Sequence, residues 1–259
     1  MNWSDEAFDA VSVSQAEAGM ELIAMTEVKS GDAILDIGCG AGNLTLELAR
    51  KAPKGMVVGI DPSAEMLDMA RKRTQGAENI ALLKMAAQEM RFASEFDLVY
   101  SNSALQWIQE QGAVIGLAHR ALRPGGRIAV QLPAKDFCWP VMENINSAIS
   151  ALGLESKFGE MPTPWLFPLK SELQAFLEAA GFSGVGIYYK DYMLLFGSVN
   201  EVLEWGMSAP LRPYLSRLSR DMRERFKYAF AMGFENYRTE NGIEFNFKRL
   251  FAFAVKGGL

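Results

Sequence analysis

The sequence predicts an α/β fold: a doubly wound parallel sheet with helices on both faces, extended by a helical cap. Three observations predict it. Short apolar runs alternate with helix-patterned segments from residue 33 to residue 132, and strands apolar throughout belong in a sheet covered on both faces. A glycine turn, Gly38-Cys-Gly-Ala-Gly42, stands between the first of these runs and its helix, where an α/β protein builds a nucleotide site. Two later strand patterns, near 185–195 and 249–256, are separated by a helical stretch over 198–243 that is too long for a hairpin loop.

The elements follow in order. Trp3, Phe8, Val11 and Val13 obey no clean period, and residues 1–16 read either as a lid or as a tail. Met20, Ile23 and Ala24 pattern a helix over 17–27 that packs on a sheet. Strand Ala33 to Ile37 enters the glycine turn, and Leu44 and Leu48, four apart, start a helix ending near Lys51-Ala-Pro-Lys-Gly55. Strand Met56 to Ile60 stops at Asp61, with Pro62 expected as first helical residue and Asp61 as its cap. The helix through Met66, Leu67 and Ala70 runs to about Thr74. Strands Ile80 to Lys84 and Phe96 to Tyr100 follow, then a helix from Gly112 to Leu122 burying Val114, Ile115 and Ala118. Arg123-Pro-Gly-Gly126 reads as a tight turn before strand Arg127 to Leu132. Beyond it come a helix to Leu152, a proline- and aromatic-rich stretch over 158–168, and a helix with Leu173, Phe176 and Leu177 closed by Gly181. Residues 198–238 read as helical, broken at Pro210 and Pro213, and the strand Arg249 to Lys256 should lie beside the 185–195 strand.

Composition excludes several classes. The chain has 259 residues, 49% of them hydrophobic, enough for a full core. A net charge of −5 argues against a basic nucleic-acid surface. No run of apolar residues is long enough to span a membrane, and the start, Met-Asn-Trp-Ser-Asp-Glu, lacks the layout of a signal peptide. Two cysteines, Cys39 and Cys138, make neither a metal set nor a disulfide framework. A cytoplasmic protein is expected. His119, the sole histidine, reads as structural or solvent-facing.

The glycine turn carries the functional signal. Its spacing is G-x-G-x-G, and Asn43 stands where a dinucleotide fingerprint has its last glycine. Asp36 precedes the first glycine; a carboxylate there repels a pyrophosphate and suits a ligand with positive charge. Asp61 lies 19 residues beyond Gly42, placed to bind ribose hydroxyls. Gly38–Gly42, Asp61, Gln88 and Asn102 all fall at strand C-terminal ends and are expected to converge.

Leu35-Asp-Ile-Gly-Cys-Gly-Ala-Gly42, Gly59-Ile-Asp-Pro-Ser-Ala-Glu-Met-Leu67, Phe96-Asp-Leu-Val-Tyr-Ser-Asn102 and Leu122-Arg-Pro-Gly-Gly126 resemble the ordered motifs of class I S-adenosylmethionine-dependent methyltransferases. The resemblance covers about residues 30–132 and implies a Rossmann-like seven-stranded sheet whose last strand is antiparallel. It implies S-adenosyl-L-methionine as cofactor and S-adenosyl-L-homocysteine as product. It implies that Asp36 and the backbone of Gly38, Cys39, Gly40 and Gly42 hold the methionyl end and that Asp61 binds the ribose, with Pro62, Met66, Ser101 and Asn102 around them. One departure concerns the adenine motif: Ala86 stands where the family usually has an acid, leaving the Ala87 N–H and the Gln88 side chain as candidates. A second similarity, to trans-aconitate and other small-acid methyltransferases, rests on Gln15, Ser103-Ala-Leu-Gln-Trp107 and Val202-Leu-Glu-Trp-Gly-Met-Ser-Ala-Pro-Leu-Arg-Pro-Tyr214. It implies that Gln15 reaches the cofactor carboxylate and that Arg212 pairs with a substrate carboxylate, against the plainer reading of Arg212 as a surface arginine at a helix end.

The expected organisation is a lid segment and helix at 1–28, a cofactor-binding core at 29–136, a cap segment at 137–170, the end of the core sheet at 171–197 and 244–259, and a helical cap insertion at 198–243. Methyl transfer from a sulfonium is an in-line displacement that needs alignment and exclusion of water. No obvious base accompanies the site, and a carboxylate acceptor needs none, which favours O-methylation of a small carboxylic acid over an amine, carbon or phenol acceptor. Trp107, Trp139, Trp165, Phe167 and Trp205 either form the acceptor pocket or are plain core. Two other classes compete: a cofactor-binding protein without catalysis, and a dinucleotide oxidoreductase, which Asp36 and Asn43 disfavour.

Overall fold

A computed structural model describes residues 13–135, 139–161, 164–208 and 210–257, without the side chains of 13–15 and 208. Seven strands form one sheet in the order β3-β2-β1-β4-β5-β7-β6. These are β1 (Ala33–Ile37), β2 (Met56–Asp61), β3 (Ile80–Lys84), β4 (Phe96–Asn102), β5 (Leu122–Pro133), β6 (Phe182–Phe196) and β7 (Ile243–Lys256). Strands β1 to β5 pair in parallel, and β7 runs antiparallel to β5, from Arg127 opposite Val255 to Pro133 opposite Arg249. The expected antiparallel final strand is therefore present, seated between β5 and β6. Strand order reverses between β1 and β4, so the crevice beyond their carboxyl ends is where a ligand belongs.

Helices α1 (Val13–Met25), α2 (Asn43–Lys51), α3 (Ala64–Arg73) and α4 (Gln111–Ala121) connect or flank the parallel strands. Further on come α5 (Trp139–Ala151), α6 (Glu155–Phe158), α7 (Lys170–Ala179), α8 (Val199–Ser208), α9 (Arg212–Leu215) and α10 (Arg220–Gly233). The described chain divides into two compact units. Among the described residues, one comprises 15–135, 165–190 and 249–257 and contains the parallel strands; the other comprises 13–14, 139–161, 164, 191–208 and 210–248. The first is cored by Ile34, Leu35, Leu98, Val99, Ile128 and Val130 on the strands, all nearly or fully buried. The second is an aromatic core in which Phe158, Tyr214, Phe226, Phe230, Phe234 and Phe245 are buried, with the Tyr214 and Phe226 rings stacked.

Several elements differ from the sequence expectation for identifiable reasons. Arg123-Pro-Gly-Gly126 is not a turn ahead of the strand but an irregularity inside β5: Phe96 pairs with Leu122 and Leu98 with Arg127, and Gly125 takes φ +76° in the excess loop. Ser63, not Asp61, caps α3, accepting a hydrogen bond from Met66 N at 3.2 Å, so Pro62 lies outside the helix. Asp61 does not cap because its oxygens are already engaged by the Ser63 and Gly40 N–H groups. Pro213 sits in the first turn of α9, where its missing N–H costs nothing, and does not break a helix. Strand β7 begins at Ile243, six residues before Arg249, because Phe245 and Phe247 alternate inward with it. Phe137 and Pro162 lie outside the described residues.

Candidate functional site

Strand β1 delivers Asp36 and Ile37 to a turn in which Gly38, Gly40 and Gly42 all take positive φ, +76°, +53° and +82°. The N–H groups of Gly38 and Cys39 both donate to Ile60 O, at 2.9 and 3.0 Å, pinning the turn to the end of β2. The three glycines serve different ends. A Cβ at Gly38 would stand 2.2 Å from Ala104 Cβ, and one at Gly42 3.0 Å from Ala70 Cβ, so these two are demanded by packing. A Cβ at Gly40 would meet nothing within 4 Å: the backbone there faces open space, the cradle a ligand needs.

Two carboxylates flank the cradle. Asp36 is 2% exposed, and the Thr45 hydroxyl donates to its Oδ2 at 2.7 Å. Burial raises its pKa to about 7, against the opposing pull of the Thr45 bond and with a further upward push from the charge of Asp61. Asp61 accepts from Gly40 N at 3.1 Å and from Ser63 N at 2.8 Å. Burial raises its pKa too, and those two N–H donors hold the rise back. Burial and the same two carboxylates push the Cys39 thiol far up, so Cys39 remains a neutral, unreactive thiol.

The remaining residues fall into groups. Ser101 is buried at the end of β4 and its hydroxyl donates to Ile37 O at 3.0 Å, locking β4 to β1 at the mouth of the turn. Asn102 ends the same strand; a Cβ on Gly19 of α1 would stand 3.0 Å from its Nδ2 and 2.3 Å from Leu44 Cδ1, so α1 approaches both closely. Gln15 lies one helical turn before Gly19, and its side chain is outside the described residues. Pro62 is exposed and Met66 half-buried after β2. Ala87 is buried in a short 3-10 turn after β3, while Gln88 is exposed, its Nε2 at 3.5 Å from Glu110 Oε2. The Ala86 N–H donates to Glu89 Oε2 at 3.1 Å.

The acceptor-side candidates separate. Trp107 is 46% exposed, edge-on to the buried Trp165, which stacks on Phe167. Trp205 belongs to the other unit and is packed among Phe196, Phe245 and Phe247, as core. Arg212 opens α9, also in that unit, and is exposed. His119 lies edge-on to Phe182, and its carbonyl accepts from Lys256 Nζ, at the end of α4 and hence at the opposite edge of the sheet from the glycine turn. Burial lowers its pKa, as does the charge of Lys256. Sequence reasoning passed over Thr45, which no motif marks, and also Arg249 and Gln131, both fully buried.

The donor set around Gly40 is anionic, which matches a nucleoside bearing an ammonium and a sulfonium and opposes a pyrophosphate. Among the described residues there is no cluster of acids, histidines or cysteines able to hold a metal ion, and no helix long and apolar enough to cross a membrane. Residues 28–181 match a family model described as a methyltransferase domain. The chain is 27% identical to trans-aconitate 2-methyltransferase from Azoarcus sp., over 98% of this chain and 99% of that one. It is 30% identical to the enzyme of the same name from Deinococcus radiodurans, over 87% of each. In three dimensions it is similar to the YcgJ protein from Bacillus subtilis, with a TM-score of 0.64 at 18% identity, covering 94% of this chain and 100% of that one. With its motifs, strand order and glycine turn in agreement, the chain belongs to the methyltransferase-domain family and is an S-adenosyl-L-methionine-dependent methyltransferase.

Proposed function

We propose that this methyltransferase O-methylates a small organic acid. The observation that carries the reading is similarity to trans-aconitate 2-methyltransferases over nearly the whole chain, including the unit outside the parallel strands. The chemistry agrees. The cofactor supplies a methyl group on a cationic sulfur. Gly40 and its neighbours form the cradle for it, Asp36 takes the methionyl ammonium, Asp61 the ribose hydroxyls, and Ala87 with Gln88 the adenine. Ser101 and Asn102 close the floor beneath. The protein's remaining task is to hold an acceptor oxygen in line and keep water out. A carboxylate is already ionised at neutral pH, with a pKa of roughly 4, so no general base is required. His119, at the other edge of the sheet, is not placed to act as one.

Labelled methyl transfer from S-adenosylmethionine to a panel of small acids, trans-aconitate included, tests the proposal. The expected product is an ester, whose label is released as methanol by mild alkali. Alkali-stable label on an amine, carbon or phenol acceptor, with none on acids, would overturn it.

A further inference from the structure

We infer that Tyr100 is a positioning residue for the cofactor site: its hydrogen bond to the Gly19 carbonyl sets where α1 stands over the carboxyl edge of β1 and β4. The inference concerns the methyl donor and holds for any acceptor. Tyr100 is 0% exposed, and its hydroxyl donates to Gly19 O at 2.9 Å, across 81 residues of chain. A carbonyl has two lone pairs, so one inside a helix can take this donor as well as the helix's own. Burial and the charge of Asp36 push the phenol pKa well up, so Tyr100 stays a neutral donor. Phenylalanine would fill the same volume; what tyrosine adds is this one bond.

The course of α1 follows from its contacts. Ala18, Gly19, Leu22 and Ile23 form its buried stripe. Just past its C-terminus, Arg127 donates from Nε to Thr26 O at 3.0 Å and from Nη2 to Glu27 O at 3.1 Å. Arg127 pairs with Leu98, near the start of β4, so this end of α1 lies toward the amino edge of the sheet. At Gly19 the helix has reached the other edge: a Cβ there would stand 2.3 Å from Leu44 Cδ1 and 3.0 Å from Asn102 Nδ2. Helix α1 therefore runs antiparallel to the parallel strands. Residues 15–18 overhang the carboxyl edge by about 6 Å, at 1.5 Å per residue. Among the described residues, Tyr100 is the last side chain that ties α1 to the sheet by a hydrogen bond before that overhang.

Two further observations connect the tie with the cradle. Tyr100 pairs with Asp36 across β1 and β4, so both side chains leave the same face of the sheet, and Asn102, two residues on, shares it. Gly19 lies inside a helix, where alanine is ordinarily preferred. Its missing Cβ lets α1 come this close to Leu44 and Asn102, and Tyr100 holds it there. The overhanging turn is thereby a wall beside Asp36 and the glycine turn, and the Tyr100 bond fixes its distance from them.

Tyr100→Phe tests this, removing the hydroxyl and keeping the ring. Calorimetry should show S-adenosylhomocysteine bound about threefold to tenfold more weakly, the effect of one hydrogen bond. The thermal midpoint of the ligand-free protein should fall by about 2–4 °C. Amide exchange at residues 17–20 should quicken by about threefold to tenfold, while residues 23–25, near the Arg127 tie, keep their rate. Thr26→Val is the control: it removes the hydroxyl that donates to Leu22 O at the far end of the same helix. It should lower the midpoint similarly and leave S-adenosylhomocysteine affinity within about twofold of the wild type. Gly19→Ala disturbs the same tie from the other side. The atoms nearest its methyl are side-chain ends that can move aside, so the variant should fold and bind S-adenosylhomocysteine at least about threefold more weakly. Unchanged affinity in Tyr100→Phe, or an equal loss in Thr26→Val, overturns the positioning role. If Tyr100→Phe does not fold, unchanged affinity in Gly19→Ala overturns it.

Discussion

The Thr45 hydroxyl donates to Asp36 Oδ2 at 2.7 Å, so the first turn of α2 stabilises the charge on a carboxylate buried at the end of β1. This bond works against burial, which drives the Asp36 pKa up to about 7. Thr45→Val removes it and keeps the shape. A hydrogen bond to a charged group contributes about 1.5–3 kcal/mol, so the variant should bind S-adenosylhomocysteine about tenfold or more weakly at pH 7, measured by calorimetry. Part of that loss should return at pH 8.5, and Thr45→Ser should behave like the wild type.

Ligand affinity and fold stability should respond to pH in opposite directions. Asp36 must be ionised to hold an ammonium, so affinity for S-adenosylhomocysteine should rise between pH 6 and pH 8. Without ligand, the folded protein holds the Asp36 proton up to about pH 7 whereas the unfolded chain releases it near 3.8. The folded state binds more protons in that window, so this group's contribution to stability is present below it and is lost as pH rises through about 7. Asp36→Asn should therefore stabilise the ligand-free protein at pH 8, by on the order of 2–4 kcal/mol, while abolishing tight cofactor binding. A parallel series of thermal melts and titrations checks both signs.

Gly38 and Gly40 should separate folding from binding. Gly38→Ala places a methyl 2.2 Å from Ala104 Cβ and should lower stability markedly, by about 2 kcal/mol or more. Gly40→Ala meets no atom, so its stability cost is the left-handed backbone alone, about 1 kcal/mol. Its methyl fills the cradle instead, and cofactor-product affinity should fall at least tenfold. Denaturant midpoints paired with binding constants distinguish the two.

Ala86→Asp should restore a carboxylate to the adenine side and tighten S-adenosylhomocysteine binding. Glu89 already accepts the Ala86 N–H, so the new side chain is free to face outward from the 3-10 turn. Unchanged or weaker binding in a titration would count against the idea that adenine recognition is reduced here.

Periodic elements were legible from sequence because hydrophobicity and glycine placement dictate them locally. Strands β1 to β4 and the turn at Gly38–Gly42 fall where their apolar runs and glycines put them. What failed was arbitration among local options by distant partners. Asp61 reads as a cap until Gly40 N claims one of its oxygens, and Arg123-Pro-Gly-Gly126 reads as a turn until Leu122 finds Phe96. On the site, Asp36, Asp61 and Asn102 stand at the expected strand ends, whereas Thr45 carries no sequence signature. Its relevance lies in what it touches after folding, the Asp36 carboxylate. Trp205 illustrates the reverse: conspicuous in sequence, it is packed among phenylalanines.

Because β7 lies between β5 and β6, the sheet is assembled out of chain order. On the ribosome, β6 is made with no neighbour to join, and 46 residues (197–242) separate it from the strand that bridges it to β5. At about 5–20 residues per second, β5 presents an open edge for several seconds, a surface that invites mispairing. The glycine turn, Asp36 and Asp61 all precede that gap in the chain, so both carboxylates are made before the sheet can close.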